Sequence, residues 1–246
     1  MARLVLVHGF TQTGASWGPI ARRLAAVGHE VMTPDLPGHG ARSKVRATLP
    51  ETAELIAEEC GPACYIGYSL GGRVCLQLAK QHPEVVERLV VLSATAGIDD
   101  PDERANRRAA DNRLADELES SGDVAAFLER WLAGPLFASL PREAAGMEAR
   151  LNNTADGLAS SLRLAGTGAQ EPLWDRLGSL PMPVLVVAGE LDEKFGALGK
   201  RLVAAIGAYA RLELIAGAGH AAHLERPDAF VDVIGAQVPP PDRPRT

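Results

Sequence analysis

Three side chains suited to nucleophilic or acid–base chemistry each follow a separate apolar run of this sequence. They are Ser69, Asp192 and His220, in that chain order. In such a set the histidine takes a proton from the serine, while the aspartate fixes the histidine tautomer and stabilises the imidazolium. We therefore predict that the protein is an enzyme and that these residues form its catalytic triad.

The serine has the most specific surroundings. It lies in Gly67-Tyr68-Ser69-Leu70-Gly71, between the apolar run Cys64-Tyr65-Ile66 and a helix-like segment from Arg73 to His82. A Gly-x-Ser-x-Gly motif between a strand and a helix is typical of a nucleophile elbow, whose sharp turn leaves no room for side chains at the glycines. The alternative interpretation of the motif is a glycine-rich turn without a catalytic role.

A second apolar run, Leu4–Val7, leads directly into His8-Gly9-Phe10. This pattern predicts a buried parallel strand whose following loop faces the elbow. In that arrangement the backbone N–H groups of Phe10 and Leu70 would point at one oxygen atom and form an oxyanion hole.

Two other histidines compete with these assignments. We interpret the ring of His8 as a packed loop side chain rather than as a catalytic group. His223 is the main rival of His220 as the base, but it lies three residues deeper, at the start of the next predicted helix.

Six predicted strands alternate with helix-like stretches and must position these residues. The strands span residues 3–7, 30–33, 63–66, 88–93, 183–188 and 211–215. This alternation predicts an α/β fold with a mostly parallel sheet and helices on both faces. Serine, then aspartate, then histidine is the chain order of α/β-hydrolases, so an α/β-hydrolase fold is expected.

A segment between Ala96 and about Gly168 has no convincing strand and is rich in Ala, Arg, Glu and Leu. It predicts a helical cap over the carboxyl ends of the strands, where open α/β sheets bind ligands. We assign residues 1–96 to the first part of the core, 97–168 to the cap and 169–246 to the second part, with a disordered tail from about residue 239. Glycine and proline breaks in the cap indicate that its helices can shift.

Composition narrows the class of protein. The 246 residues are 46% hydrophobic, which suffices for one sizeable core. A net charge of −6 argues against nucleic-acid or acidic-membrane partners, and no leader or apolar run of about 18 residues is present, so we expect a cytoplasmic protein without a membrane span. Cys60, Cys64 and Cys75 lack histidine partners at metal spacing and are interpreted as reduced core thiols, with no metal site. The sequence leaves the oligomeric state open.

Several motifs together resemble one family within this fold. In the core they are Gly67–Val74, Asp35-Leu36-Pro37-Gly38-His39-Gly40 and Gly189–Phe195. In the predicted cap and just after it, the matching positions are Trp131, Pro135–Phe137, Arg150 before Asn152-Asn153, and residues 166–174. Over about residues 4–230 the chain is similar to the 2-succinyl-6-hydroxy-2,4-cyclohexadiene-1-carboxylate synthases of menaquinone biosynthesis.

The resemblance implies a cofactor-free lyase that eliminates pyruvate from an enolpyruvyl cyclohexene carboxylate bearing a succinyl group. Ser69 would act as the base or as a relay to it, and a covalent acyl-serine is not required. Because the substrate carries three carboxylates, the resemblance also implies binding by Tyr68, Arg73, Arg107, Trp131, Arg150 and Lys194. For the position of Arg107, the neighbouring residues Arg104, Arg108 and Arg113 remain alternatives.

Two other functions are compatible with the same residues. A carboxylesterase, thioesterase or carbon–carbon bond hydrolase would use the same triad with Ser69 as a true nucleophile and a mainly apolar pocket. A non-catalytic ligand receptor could keep the fold and a pocket, although an ordered Ser, Asp and His set argues against it.

Overall fold

The core of the molecule is one six-stranded sheet. In the computed structural model, which describes residues 2–238, the strands are β1 (Arg3–Val7), β2 (Glu30–Met32), β3 (Ala63–Tyr68), β4 (Val86–Leu92), β5 (Val184–Gly189) and β6 (Ala210–Ile215). Their order across the sheet is β2-β1-β3-β4-β5-β6, and each neighbouring pair is parallel. All six predicted strands are present, with ends that differ from the prediction by at most two residues.

Helices follow the strands along the chain. They are α1 (Gly18–Ala26), α2 (Leu49–Cys60), α3 (Leu70–Gln81), α4 (Pro101–Ser121), α5 (Val124–Leu132), α6 (Met147–Arg150), α7 (Ala155–Ala165), α8 (Glu193–Ile206), α9 (Ala222–Glu225) and α10 (Pro227–Gln237). Because successive strand residues point to opposite faces, Leu4 and Leu6 pack with Trp17 and α10. Val5 and Val7 belong to the other cluster, with α2 and α3, so both faces of the sheet are covered.

The segment between β4 and β5 is helical where it was expected to be. Helices α4 to α7 enclose a small apolar cluster of their own, to which Phe127, Leu128 and Leu158 belong. Phe10, from the core, packs against this cluster, so the helices lie over the loop after β1. The cap boundaries at 97 and 168 remain a prediction, and the predicted disordered tail lies outside the described residues.

Two properties of the described range 2–238 bear on the class of protein. None of its helices combines the length and the apolar character that a membrane crossing requires. Its three cysteines are buried and free, and burial raises the pKa of Cys60 and of Cys64 to about 12. These thiols therefore stay protonated at neutral pH.

Candidate active site

The sheet topology brings the predicted triad to one edge. Ser69 follows β3 directly, while Asp192 and His220 lie in the loops after β5 and β6. Because these strands are parallel, their carboxyl ends share one edge of the sheet, together with the Phe10 loop after β1.

The turn at Ser69 is strained. Its φ of 52° lies in the left-handed region that disfavours residues with a side chain. A Cβ at Gly67 would lie 2.3 Å from the carbonyl oxygen of Gly71, and a Cβ at Gly71 would lie 2.1 Å from that of Val7. Both positions therefore require glycine, and helix α3 begins immediately after the serine, at Leu70. The predicted elbow has the local geometry that its sequence indicated.

The three side chains form a hydrogen-bonded chain. His220 Nε2 lies 3.4 Å from Ser69 Oγ, and His220 Nδ1 lies 2.8 Å from Asp192 Oδ2. The other oxygen of Asp192 accepts the backbone N–H of Phe195 at 3.1 Å, which fixes the carboxylate. With Nδ1–H donated to the aspartate, Nε2 is left to accept a proton from the serine.

The loop that carries His220 is held by Glu225, a residue that the sequence analysis did not identify. Its carboxylate is 7% exposed and accepts the backbone N–H groups of Gly219 at 2.7 Å and of Ala221 at 3.0 Å. Both neighbours of His220 are thus fixed by one buried anion. The available sequence signal was a lone acidic residue after the apolar stretch that follows His220.

The predicted oxyanion donors have free backbone N–H groups. Among residues 2–238 no acceptor receives the N–H of Phe10 or of Leu70. The N–H groups on either side of Phe10 are taken, since Gly9 donates to Gln12 Oε1 at 3.0 Å and Thr11 donates to His39 Nε2 at 3.3 Å. One unpaired donor therefore remains in this loop, at the predicted position.

Two buried histidines brace this loop. His8 Nδ1 donates to the carbonyl of Gly9 at 2.9 Å, and its Nε2 accepts the N–H of Leu36 at 3.0 Å. His39 Nδ1 donates to the carbonyl of Pro37 at 3.0 Å. Burial lowers the pKa of His8 to about 4 and that of His39 to about 3, so both rings are neutral at pH 7. His8 is a packed loop residue, as the sequence indicated.

His223 is likewise a packing residue. It is 1% exposed, and its ring centroid lies 4.3 Å from that of Tyr68 and 4.5 Å from that of Trp17. Burial lowers its pKa well below the usual value. His223 does not line the cavity beside Ser69, whereas His220 does.

A cavity of about 120 Å³ lies beside Ser69. The predicted residues that line it are Phe10, Ser69, Leu70, Arg73, Arg107, Trp131, Lys194 and His220. The lining residues that the sequence analysis did not assign to the site include Leu136, Thr167 and Phe195, which lie in the family-like motifs, and Ser161. Since pockets for small-molecule ligands usually measure roughly 300–1,000 Å³, we expect the cap to shift when a ligand of that size binds.

Arg73 is the most deeply buried cation of this cavity. It is 7% exposed, and its Nη1 donates to Gln170 Oε1 at 3.3 Å. Burial and the nearby charge of Arg107 lower its pKa to about 10. Within the described part of the chain, no carboxylate forms an ion pair with it. The carboxylate of Asp111 acts on this charge without contacting it, and a buried charge without a direct ion-pair partner favours an anionic ligand.

Among the four alternative cap arginines, Arg107 is the one that lines the cavity. Its Nε lies 2.8 Å from Asp111 Oδ1, and its side chain is 40% exposed. Arg104 instead donates to the carbonyl of Ile98 at 3.0 Å, and Arg108 lines a different cavity. The charge of Arg107 is therefore already partly compensated.

Tyr68 is not among the lining residues. It is 2% exposed and lies beneath the Phe10 loop, where a Cβ at Gly9 would come within 2.6 Å of its ring. Burial raises the pKa of its hydroxyl. Tyr68 is the last residue of β3, and its ring centroid lies 4.3 Å from that of His223 and 5.4 Å from that of His220.

Arg150 also does not line the cavity. It is 1% exposed and donates to the carbonyl of Ala145 at 2.8 Å and to the hydroxyl of Thr11. Asn153 donates to the carbonyl of Thr11 at 2.7 Å. Two cap residues thus hydrogen-bond to Thr11, which has a φ of 67° and directly follows Phe10 with its free N–H.

Comparison with known proteins agrees with this architecture. The sequence profile of the alpha/beta hydrolase family matches residues 4–233. A Salmonella newport protein named 2-succinyl-6-hydroxy-2,4-cyclohexadiene-1-carboxylate synthase is 32% identical over 93% of this chain and 90% of its own length. A Bacillus subtilis protein to which the same synthase name is given provisionally is 34% identical over 94% of this chain and 88% of its own.

Solved structures show the same pattern. The structure of MenH from S. aureus has a TM-score of 0.88 at 30% identity, covering 96% of this chain and 92% of that one. A thermophilic esterase from Thermogutta terrifontis has a TM-score of 0.78 at 22% identity, covering 96% of this chain and 89% of that one. At that identity the esterase shares the fold alone.

Proposed function

We propose that this protein is the lyase 2-succinyl-6-hydroxy-2,4-cyclohexadiene-1-carboxylate synthase of menaquinone biosynthesis. The chain belongs to the alpha/beta hydrolase family and, within it, to the family of these synthases. Its substrate would be 2-succinyl-5-enolpyruvyl-6-hydroxy-3-cyclohexene-1-carboxylate. The observation that carries the proposal is the charge of the cavity: Arg73, Arg107 and Lys194 line it beside Ser69 and His220, and none of its described lining residues is acidic. A substrate with three carboxylates would bind there through charge-assisted hydrogen bonds.

The proposed reaction is an elimination to which no water is added. A base removes the ring proton beside the succinyl carbonyl, and the electron pair moves through the ring double bond to break the C–O bond of the enolpyruvyl group. The leaving group departs as the enolate of pyruvate and becomes pyruvate when it takes up a proton. The ring gains its second double bond, so the reaction balances without an oxidant, a reductant or a cofactor.

The proposed roles follow from the contacts at the sheet edge. Ser69, whose proton passes to His220 Nε2, acts as the base or relays the proton, and Asp192 fixes the imidazole. The N–H groups of Phe10 and Leu70 donate to the oxygen that gains charge in the enolate. The loss of one such donor typically raises a barrier by about 3 kcal/mol.

Binding is assigned to the residues that line the cavity. Arg73, Arg107 and Lys194 bind substrate carboxylates, and Trp131 presents its ring to the substrate. For Tyr68 and Arg150 we propose a supporting role instead of direct contact, because their contacts are with the Phe10 loop. They would keep the N–H of Phe10 aimed at the cavity.

A serine hydrolase is the second candidate. The hydrogen-bonded chain from Ser69 to Asp192 and the two free N–H groups fit acyl transfer by a nucleophilic serine equally well. What argues for the lyase is the cationic lining, since an esterase pocket is expected to be mainly apolar.

The deciding experiment is pyruvate release from the enolpyruvyl substrate, coupled to lactate dehydrogenase, with hydrolysis of p-nitrophenyl acetate measured on the same preparation. We expect fast pyruvate release and negligible ester hydrolysis, with pyruvate release lost in Ser69→Ala. Brisk ester hydrolysis without pyruvate release would overturn the lyase assignment in favour of a hydrolase.

A further inference from the structure

A second cavity, of about 510 Å³, is lined by residues of α3, α4 and α7, three helices that also border the active-site cavity. Its walls come from the start of α2, from α3, α4 and α7, and from residues 169–173. The two cavities have no lining residue in common. Its volume falls within the usual range for sites that bind small molecules.

The lining of this second cavity is strongly cationic. Lys80, Arg108, Arg163 and Arg176 line it, against the single carboxylate of Glu171. Arg163 is neutralised by ion pairs on α4, but the other three cations have no carboxylate partner within residues 2–238. The chain as a whole has a net charge of −6, so the positive charge of this cavity is opposite in sign to the net charge of the protein.

Gln170 is a second, independent feature of this cavity. It lines the second cavity and is 2% exposed. Its Oε1 accepts from Arg73 Nη1 at 3.3 Å, while its Nε2 is buried with no acceptor in the described part of the chain. Since buried N–H donors are nearly always satisfied, the amide calls for an acceptor that these residues do not supply.

We propose that this cavity binds a small oxyanion carrying two or more negative charges, at a site separate from that of the substrate. Lys80, Arg108 and Arg176 would supply the charge, and Gln170 Nε2 would donate a hydrogen bond to the anion. An anion held in this way fixes the Gln170 amide with its Oε1 towards Arg73. The site therefore bears on the orientation of the buried arginine in the active-site cavity.

The test is isothermal titration calorimetry with citrate and, separately, with inorganic phosphate, at constant ionic strength. The double variant Lys80→Ala/Arg176→Ala removes two cations of the site. The matched variant Arg22→Ala/Arg88→Ala removes two exposed cations that do not line this cavity. We expect a saturable binding component that weakens by roughly tenfold or more in the first variant and is unchanged in the second. Tighter citrate would indicate a polycarboxylate as the natural ligand, and tighter phosphate a phosphorylated one.

Three results would overturn the proposal. One is the absence of binding by either probe. Another is binding that persists unchanged in Lys80→Ala/Arg176→Ala, which would place the anion outside this second cavity. The third is an equal loss in both double variants, which would show a general effect of net charge. Because the readout is binding, it is independent of whether the chain releases pyruvate.

Discussion

The core side and the cap side of the active-site cavity are held with different stiffness. On the core side, Ser69 is fixed by a strained turn, and His220 is 2% exposed in a loop fixed by Glu225. On the cap side, the Arg107 side chain is 40% exposed and Leu136 is 37% exposed. The indole N–H of Trp131 has no acceptor within the described residues.

This contrast separates two tasks. Electrostatic stabilisation of a transition state depends on donors and bases that are in place before the substrate arrives. Admission of a bulky anion into a cavity of about 120 Å³ depends on walls that can move. We therefore expect core residues to carry out the chemical step. We expect cap residues to control the entry of the substrate and to provide part of its binding.

The largest effect is expected at Ser69. Ser69→Ala should lower kcat for pyruvate release by at least about 10³-fold, because the proton relay loses its first member. The melting temperature should change little. Ser93→Ala is the matched control, since Ser93 follows the neighbouring strand β4, is 1% exposed and also has a positive φ, of 48°. If both variants kept turnover within tenfold of the wild type, the core would not hold the chemistry.

The second prediction concerns the buried histidines that brace the core side. His8 and His39 stay neutral in the folded protein down to a pKa of about 4 and about 3, whereas both protonate near pH 6.5 when the chain unfolds. Between these values the unfolded state binds more protons, so the free energy of unfolding should fall as the pH is lowered from 6.5. For His8 the full loss is on the order of 3 kcal/mol.

Urea unfolding at pH 7 and pH 5 measures this dependence. In His39→Gln the free energy of unfolding should depend less on pH, because glutamine does not titrate. His82→Gln should not reduce this dependence, since the pKa of His82 is raised by its hydrogen bond to Glu54. A wild-type stability that stays constant or rises as the pH falls would contradict the assignment of neutral, bracing histidines.

The third prediction compares the two arginines of the cavity. Arg73→Ala should raise KM for the anionic substrate by roughly 10- to 100-fold, because it removes a buried cation that has no carboxylate partner. Arg107→Ala should raise KM less, since Arg107 is partly exposed and paired with Asp111. Arg73→Lys should restore only part of the affinity, because lysine cannot bind a carboxylate bidentately. A larger effect at Arg107 would move the main binding contact to the cap.

The smallest effect is expected at Glu225. Glu225→Gln replaces the charged acceptor of two N–H groups with an amide that has only one acceptor oxygen. The His220 loop should loosen, so we expect kcat to fall about tenfold with KM nearly unchanged. Glu190→Gln is the control, because Glu190 is exposed and accepts one N–H, from Gly217 at 3.0 Å. An equal loss of kcat in the two variants would mean that Glu225 does not specifically position His220.

Local sequence was enough to locate the strands and the elbow. Apolar runs identify buried strands because their side chains need burial wherever the chain leads, and the glycines at 67 and 71 are required by contacts within a few residues of Ser69 or with the adjacent strand. Parallel pairing then brings Ser69, Asp192 and His220 to one edge. The fold and the proximity of these three residues therefore follow from the sequence.

Tertiary structure alone decided which cap and support residues reach the cavity. Helix α4 is charged around most of its circumference and buries only Asp111, Ala115 and Leu118, so no periodic apolar face shows that Arg107, rather than Arg104 or Arg108, points inward. Tyr68 and Arg150 were expected to touch substrate, yet long-range packing holds them against the Phe10 loop. The physical reason is range: strand and turn signals are set by neighbours in sequence, whereas the docking of a cap helix depends on contacts more than a hundred residues apart, such as that of Arg150 with Thr11.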